Sequence, residues 1–338
     1  MTLWRSVLFL ALFFGLIVYI IPHIIWLITW VASKIFSFKI RYAPFGWTAF
    51  LLMLFAWGIF TYGSLVGRFQ SVVNNIEYIS EDVPEAFDGF RIAHISDLHT
   101  DSFNDNPEAL QKVIDKVNAQ NPDIILFTGD MSTGIMTYPS IHEKALKSLH
   151  SKMGVVSILG NHDFFLYCPQ YKNDKERCLA ADKLTSYERE VLGWQVLRNN
   201  HLILHQGVDS LAIAGVDNIN GNQGFRTIQK GDLKKAMNGL DDIFTILMTH
   251  DPSHWRAEVL PKSHAQITLS GHTHASQIRL FGWSFANFAF RECDGRYNQD
   301  GRMLYVNTGI GCTAPFRIGC PSEITIITLK KKWNLQKL

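Results

Sequence analysis

The chain has 338 residues, 47% of them hydrophobic and 18% charged, with a formal net charge of +2. So small a charge argues against nucleic acid or any strongly charged partner, and no nucleic-acid binding is expected. The apolar excess is concentrated in the first seventy or so residues, which shifts the reading from a soluble to a membrane-attached protein, with two buried core helices of a soluble protein as the alternative.

No Asp, Glu, Lys or Arg occurs from Ser6 to Ala32 or from Tyr42 to Gly67. Each stretch exceeds the ~20 apolar residues a bilayer-spanning helix requires. Two transmembrane helices are therefore expected at about 6–32 and 42–67 within a membrane anchor, 1–68, with a kink at Pro22 and His23. The short connection carries Lys34, Lys39 and Arg41, while Arg5 and Arg68 flank the spans. By the positive-inside tendency that connection is cytoplasmic, and everything after Arg68 faces outward, at the cell membrane. The five cysteines contain no C-x-x-C pair, so a structural zinc site is not expected. The spacings of Cys168/Cys178 and Cys312/Cys320 permit loop disulfides in an oxidising compartment.

Residues 69–89 read as a linker or a first edge strand. From Phe90 to about 330 apolar β-type runs alternate with helical patterns: "RIAHIS" (91–96), a helix near Pro107–Asn118, "DIILFT" (123–128), a helix near Ser140–His150, and "GVVSIL" (154–159). A charged helical stretch, 170–192, precedes runs at 201–205, 210–216, 243–249, 265–270, 303–308 and 323–329, and a basic tail closes the chain at 331–338. Continuously apolar strands separated by helices indicate an α/β domain. The aromatic-rich "LFGWSFANFAF" (280–290) is expected to pack beneath a long loop, with an apolar lip that touches lipid as the alternative.

The strand ends carry the chemistry. "SDLHTD" brings Asp97 and His99, "TGDMS" Asp130, "GNHDFF" Asn161, His162 and Asp163, "ILMTHDP" His250, and "LSGHTHASQ" His272 and His274. In open α/β sheets such loops converge on one crevice. Carboxylates, imidazoles and an amide oxygen without a thiolate suit manganese, iron or zinc. The seven residues Asp97, His99, Asp130, Asn161, His250, His272 and His274 are too many for one tetrahedral ion. They suit two divalent ions ~3.5–4 Å apart that share a carboxylate and hold a bridging hydroxide. His94 reads as a packed core histidine. His142, His150, His201, His205, His254 and His264 read as surface or helix residues. Arg317, in "PFRIG", is either a bidentate substrate-phosphate ligand or a plain surface or salt-bridging arginine.

The ordered series D-x-H, G-D, G-N-H-D, H and G-H-x-H over 90–330 resembles the calcineurin-like metallophosphoesterases. "LSGHTHASQ" and "VNTGIGCTAPFRIGCPSEITIITL" look most like that family's bacterial membrane-linked branch. The resemblance implies a four-layer αββα sandwich. It implies one ion on Asp97, His99 and His274, a second on Asn161, His250 and His272, and Asp130 bridging. It also implies that His162 contacts the phosphate and protonates the leaving oxygen, with Asp163 orienting His162. The branch usually has two glycines where this chain has Ala275 and Ser276, a departure that bears on loop shape and removes no ligand. The implied activity is hydrolysis of a phosphomonoester, phosphodiester or pyrophosphate, lipid-linked substrates included. A UDP-2,3-diacylglucosamine pyrophosphatase with a cytoplasmic site and a non-catalytic metal-binding scaffold stand as alternatives.

Overall fold

The computed structural model describes residues 3–133, 140–221 and 227–333. Two long helices come first, α1 (Leu3–Phe36) and α2 (Ala43–Leu65). Both are long and apolar enough to cross a membrane, and side chains such as Phe9, Ile28, Leu51 and Phe55 point outward from the pair. α1 runs through Pro22 as one helix, and the His23 ring bridges the Tyr19 carbonyl and the Tyr42 hydroxyl, tying the helices together (both 2.8 Å). Further along, Phe14 stacks on Phe60 at 4.6 Å.

The remaining elements follow in chain order: β1 (Ser71–Ser80), β2 (Arg91–Ile95), α3 (Pro107–Asn118), β3 (Ile124–Phe127), α4 (Glu143–Lys147), β4 (Val155–Ser157) and α5 (Asp174–Ser186). After them come β5 (Gln195–Val196), β6 (Asn200–Gln206), β7 (Asp209–Gly215), β8 (Phe244–Met248) and β9 (Ile267–Ser270). The last are β10 (Arg279–Leu280), β11 (Trp283–Ser284), β12 (Gly295–Gln299), β13 (Arg302–Val306) and β14 (Ser322–Lys331).

One six-stranded sheet has the order β1-β14-β2-β3-β4-β5, the other β12-β13-β9-β8-β7-β6. Their inner faces meet through Ile92, Leu126, Val156, Ile213, Ile246, Ile267 and Ile327. Helices cover the outer face of the first sheet. α3 buries Leu110, Val113, Ile114 and Val117 at helical spacing, and α5 adds Ala181 and Leu184. Trp255, Val259, Leu233 and Ala236, from short helical turns, cover the second sheet. The result is the four-layer αββα sandwich. β2, β3 and β4 run parallel in one sheet and β7, β8 and β9 in the other, so their carboxyl ends gather the loops that follow.

Several expectations change. Residues 69–89 are not a free linker, because β1 pairs in parallel with β14 along ten residues. The charged 170–192 stretch ends in a π turn, Tyr187–Val191, beyond α5. Cys178, Cys312 and Cys320 are free thiols, so neither candidate disulfide is formed. His94 is a core residue as expected, but His142 and His254 are buried too. Phe281, Trp283, Phe285 and Phe288 are exposed rather than packed under a loop. The basic tail begins in β14 at Lys331, and 334–338 lie outside the described residues.

The π turn carries Glu188, whose buried carboxyl accepts from Ser157 Oγ. Burial, reinforced by nearby Asp163, pushes it up to about 8. Its folded pKa thus exceeds the unfolded value of ~4.3, so its stabilising contribution is complete below ~4.3 and is lost as pH rises through about 8. Thermal unfolding of Glu188→Gln should therefore show a shallower loss of stability between pH 5 and 8 than the parent, a difference of a few kcal/mol at most. Parallel pH profiles for the two proteins would remove this account of Glu188.

Candidate functional site

All seven expected donor residues meet at the carboxyl ends of the strands. The first sheet supplies Asp97 and His99 after β2, Asp130 after β3 and Asn161 after β4. The second supplies His250 after β8, and His272 and His274 after β9. The loops are stitched across the sheets, with the His272 amide donating to Asp97 Oδ2 at 3.0 Å and His250 Nδ1 bonded to the Thr128 carbonyl at 2.8 Å.

Two groups of donor atoms form. His99 Nε2 and His274 Nε2 lie 3.0 Å apart, with Asp97 Oδ1 3.2 Å from the second and 3.7 Å from the first. Asn161 Oδ1 lies 2.7 Å from His272 Nδ1 and 3.1 Å from His250 Nε2. Asp130 Oδ2 stands between the groups, 3.1 Å from His250 Nε2 and 3.7 Å from His99 Nε2.

The outward ring nitrogens fix which atom faces in. His99 Nδ1 is 3.0 Å from the Ser132 carbonyl and His250 Nδ1 bonds Thr128, so each turns its Nε2 toward the centre. His272 is turned the other way, with Nε2 3.6 Å from Asp251 Oδ2 and Nδ1 inward. His274 Nδ1 instead lies 3.3 Å from Arg317 Nη2.

The charges are arranged for cations. Burial alone would raise the Asp97 carboxyl, but His274, His99 and His250 outweigh it and hold it well below the usual range. Burial also opposes ionisation of Asp130, where His250, His162 and His99 prevail and lower it. Conversely Asp130 and Asp97 overcome burial at His250 and push it up to about 10, whereas burial wins at His274 and brings it down to about 4. Asp97 Oδ1 is buried without a hydrogen-bond donor. An orphaned anionic oxygen amid inward-facing imidazole nitrogens is what a divalent cation satisfies, and the donor set fits one at each group.

Close backbone approach makes this possible. A Cβ on Gly160 would lie 2.2 Å from Asp130 Oδ1 and 2.7 Å from His250 Nδ1, and one on Gly271 2.2 Å from Asp97 Oδ2. Five of the seven donors, Asp97, His99, Asp130, His272 and His274, sit at positive φ. Such conformations persist where surrounding structure imposes them.

His162 backs the site. Its amide donates to Asp130 Oδ1 at 2.9 Å, and its ring is fixed by Nδ1 on the Thr133 carbonyl at 2.6 Å, leaving Nε2 without a hydrogen-bond partner among the described residues. Asp163 does not orient that ring: its oxygens accept the amides of Gly160, Asp130 and Met131 at 2.7–2.9 Å. Three N–H donors make it a loop clamp. Arg317 is not on the substrate side either. It is 1% exposed, and Nη2 donates to the carbonyls of Thr308, Gly309 and Gly311. Asp251 was missed, although it directly follows His250 in "THDP". Beside Asn161 and His272 a recess of about 160 Å³ is lined by Tyr167, Asn218, Asp251 and Phe290. A larger groove, about 920 Å³ around Lys230, Lys234 and Glu258, holds none of the seven.

A family model described as calcineurin-like phosphoesterase matches residues 90–276. The chain is 33% identical to the uncharacterized metallophosphoesterase YkuE of Bacillus subtilis, over 73% of this chain and 82% of that protein. It is 27% identical to a transmembrane protein with metallophosphoesterase domain from Danio rerio, over 80% of this chain and 60% of that protein. It is 28% identical to the UDP-2,3-diacylglucosamine pyrophosphatase LpxG of Chlamydia trachomatis, over 71% of this chain and 83% of that protein.

The loop after His274 generates a test. Ala275 and Ser276 hold φ of 48° and 52°, a left-handed backbone that costs L-residues about 1–2 kcal/mol each. Ser276 is exposed, so Ser276→Gly relieves this with no lost packing, offset in part by glycine's greater unfolded-state freedom. Thermal unfolding should show a gain of up to about 1 kcal/mol; a lower melting temperature would mean that the serine hydroxyl matters to the loop.

Proposed function

The chain belongs to the calcineurin-like phosphoesterase family, hydrolases of phosphoester bonds, and on that footing we propose a membrane-anchored phosphoesterase working with two divalent ions. One observation carries the reading: two groups of inward-facing donor atoms share Asp130. Asp97, His99 and His274 would hold the first ion and Asn161, His250 and His272 the second, with Asp130 common to both. Manganese, iron and zinc all suit this set. When bound, the ions would supply Lewis acidity at the phosphoryl oxygens and ready a water for in-line attack.

The protein's own groups supply the rest. His162, held through Nδ1 by the Thr133 carbonyl, offers Nε2 to the reacting phosphate. Burial lowers its pKa more than Asp130 raises it, so the neutral ring can take a proton at Nε2 and return it to the leaving oxygen. Asp163 clamps the loops of Asp130 and Gly160, and Asp251 steadies His272. Substrates are mono-, di- or pyrophosphate esters, with lipid-linked ones favoured by the apolar helices.

Lys34 in the last turn of α1, and Lys39 and Arg41 in the α1–α2 connection, are exposed. Arg68, beyond the spans, is neutralised by an ion pair with Asp105 and buried. Discounting it strengthens the assignment of the connection to the cytoplasm and of the catalytic domain to the outer face. The likeness to LpxG favours a second reading, a cytoplasmic site acting on UDP-2,3-diacylglucosamine. A non-catalytic scaffold would be marked by lost donors, and all seven are present.

Two experiments decide between these. With manganese supplied, the purified chain should hydrolyse bis(p-nitrophenyl) phosphate, chelation should abolish the activity, and His162→Ala should lower the rate by ~10²–10⁴. Asn161→Ala should weaken metal retention measured by elemental analysis, and undiminished activity in both variants would remove the site assignment. For sidedness, reporters fused after Leu338 should be active outside the cytoplasmic membrane. Fluorescence from a reporter that matures only inside would transfer the proposal to the cytoplasmic substrate.

A further inference from the structure

β10 and β11 form a short hairpin turned through Phe281 and Gly282, and its large apolar side chains face outward. Phe281 is 108% and Phe288 82% exposed, with Leu280, Trp283 and Phe285 about half exposed. Trp283 packs edge-on against both Phe285 and Phe288, at 5.1 Å each, so these rings make one ridge. A contiguous exposed ridge of this kind marks a contact surface.

Its position relative to the apolar helices identifies what covers it. Ile278, just before the hairpin, bridges to Ile318. Ile278, Ala314, Phe316 and Ile318 form one cluster with Ala11 and Phe14 of α1 and Trp57 and Phe60 of α2. Phe316 meets Phe60 at 5.3 Å, and the Arg317 amide donates to the Gly63 carbonyl at 3.1 Å. Trp57 and Phe60 precede the end of α2 by eight and five residues, which at ~1.5 Å per residue is roughly 12 and 8 Å. The 23 residues of α2 extend about 35 Å, only slightly more than the ~30 Å hydrocarbon core. A loop touching Phe60 therefore reaches the membrane boundary, and the hairpin bridged to it lies beside the spans. Trp and Phe side chains are suited to that depth.

The other side of the hairpin joins the site. Ser284 Oγ donates to the Ala275 carbonyl, and the Phe290 ring lies 5.5 Å from His272.

We propose that the Leu280–Phe288 hairpin inserts into the lipid interface beside α1 and α2, so that the catalytic cleft opens at the bilayer surface and receives phosphoesters carried by membrane-embedded lipids. The proposal rests on the membrane-anchored hydrolase reading and narrows its substrate to amphiphiles.

The test uses the full-length chain with Cys178→Ser, spin-labelled at Phe281→Cys or Phe288→Cys, in vesicles of equimolar phosphatidylethanolamine and phosphatidylglycerol. Collisions with oxygen should exceed those with a water-soluble nickel chelate at both positions. A label at Val208→Cys, on the exposed β6–β7 turn, should show the reverse. Nickel-dominated collisions at 281 and 288 would overturn the proposal. So would loss of both collisions with dipolar broadening, which would mean that a second copy of the chain covers the ridge. In a second measurement Phe281→Glu/Phe288→Glu should keep the parent rate on bis(p-nitrophenyl) phosphate. Its rate on phosphatidyl-p-nitrophenol in the same vesicles should fall about tenfold or more. Equal retention of both rates would overturn the claim about lipid substrates while leaving the hydrolase reading intact. If the parent hydrolyses neither compound, the hydrolase reading fails and the collision data still decide insertion.

Discussion

Asp97 and Asp130 place two carboxylates beyond the reach of water, at the junction of two sheets. Burying each charge costs several kcal/mol unless positive charge and hydrogen bonds compensate it. His99, His250 and His274 supply part of that compensation, and each partner constrains another loop. His272 gives its amide to Asp97, and His162 gives its amide to Asp130. The same two acids thus organise the chemistry and the loops. Cations are the natural completion, because the inward imidazole nitrogens stand 3.0–3.2 Å from each other or from carboxylate oxygen.

Four donors come from one sheet and three from the other, so the site exists only when the sheets are docked. The apolar layer between the sheets makes the docking favourable, and glycines at 160 and 271 let the loops close to contact. Positive φ at five donors is the strain that accompanies this closeness. Ala275 and Ser276, at φ of 48° and 52°, extend the strain beyond the donors.

What the sequence made legible was local. Each donor follows an apolar run within a few residues, and strand ends in parallel sheets have a known destination. Roles that depend on distant contacts were not legible. Asp163 adjoins His162 in sequence, yet the 3₁₀ turn His162–Phe164 aims its carboxylate at the amides of Asp130 and Met131. The Arg317 guanidinium is enclosed by its own loop carbonyls, and that loop is pressed against Gly63 and Gly67 some 250 residues earlier. The 71–80 segment alternates too weakly to announce a strand, and its partner β14 lies at the other end of the chain. Aromatic content at 280–290 carried no sign of which way the rings face, because burial there is decided by what the hairpin meets.

The helices and the catalytic loops form one structure rather than an anchor with a tethered enzyme. Arg68, just after α2, bonds the Ser64 carbonyl at one end and the Ser102 carbonyl at the other, while pairing with Asp105. Asp101 in the same turn accepts the Thr133 amide at 2.8 Å, and the Thr133 carbonyl holds His162. On the opposite flank Phe60 and Gly63 meet the 314–318 loop, whose Arg317 lies against His274. The end of α2 is therefore clamped on two sides to segments that carry donor residues. Such a junction leaves little freedom for the domain to tumble above a membrane. Through Asp101, Thr133 and Arg317 it ties the end of α2 to both flanks of the site, so the helices and the donor loops are positioned together.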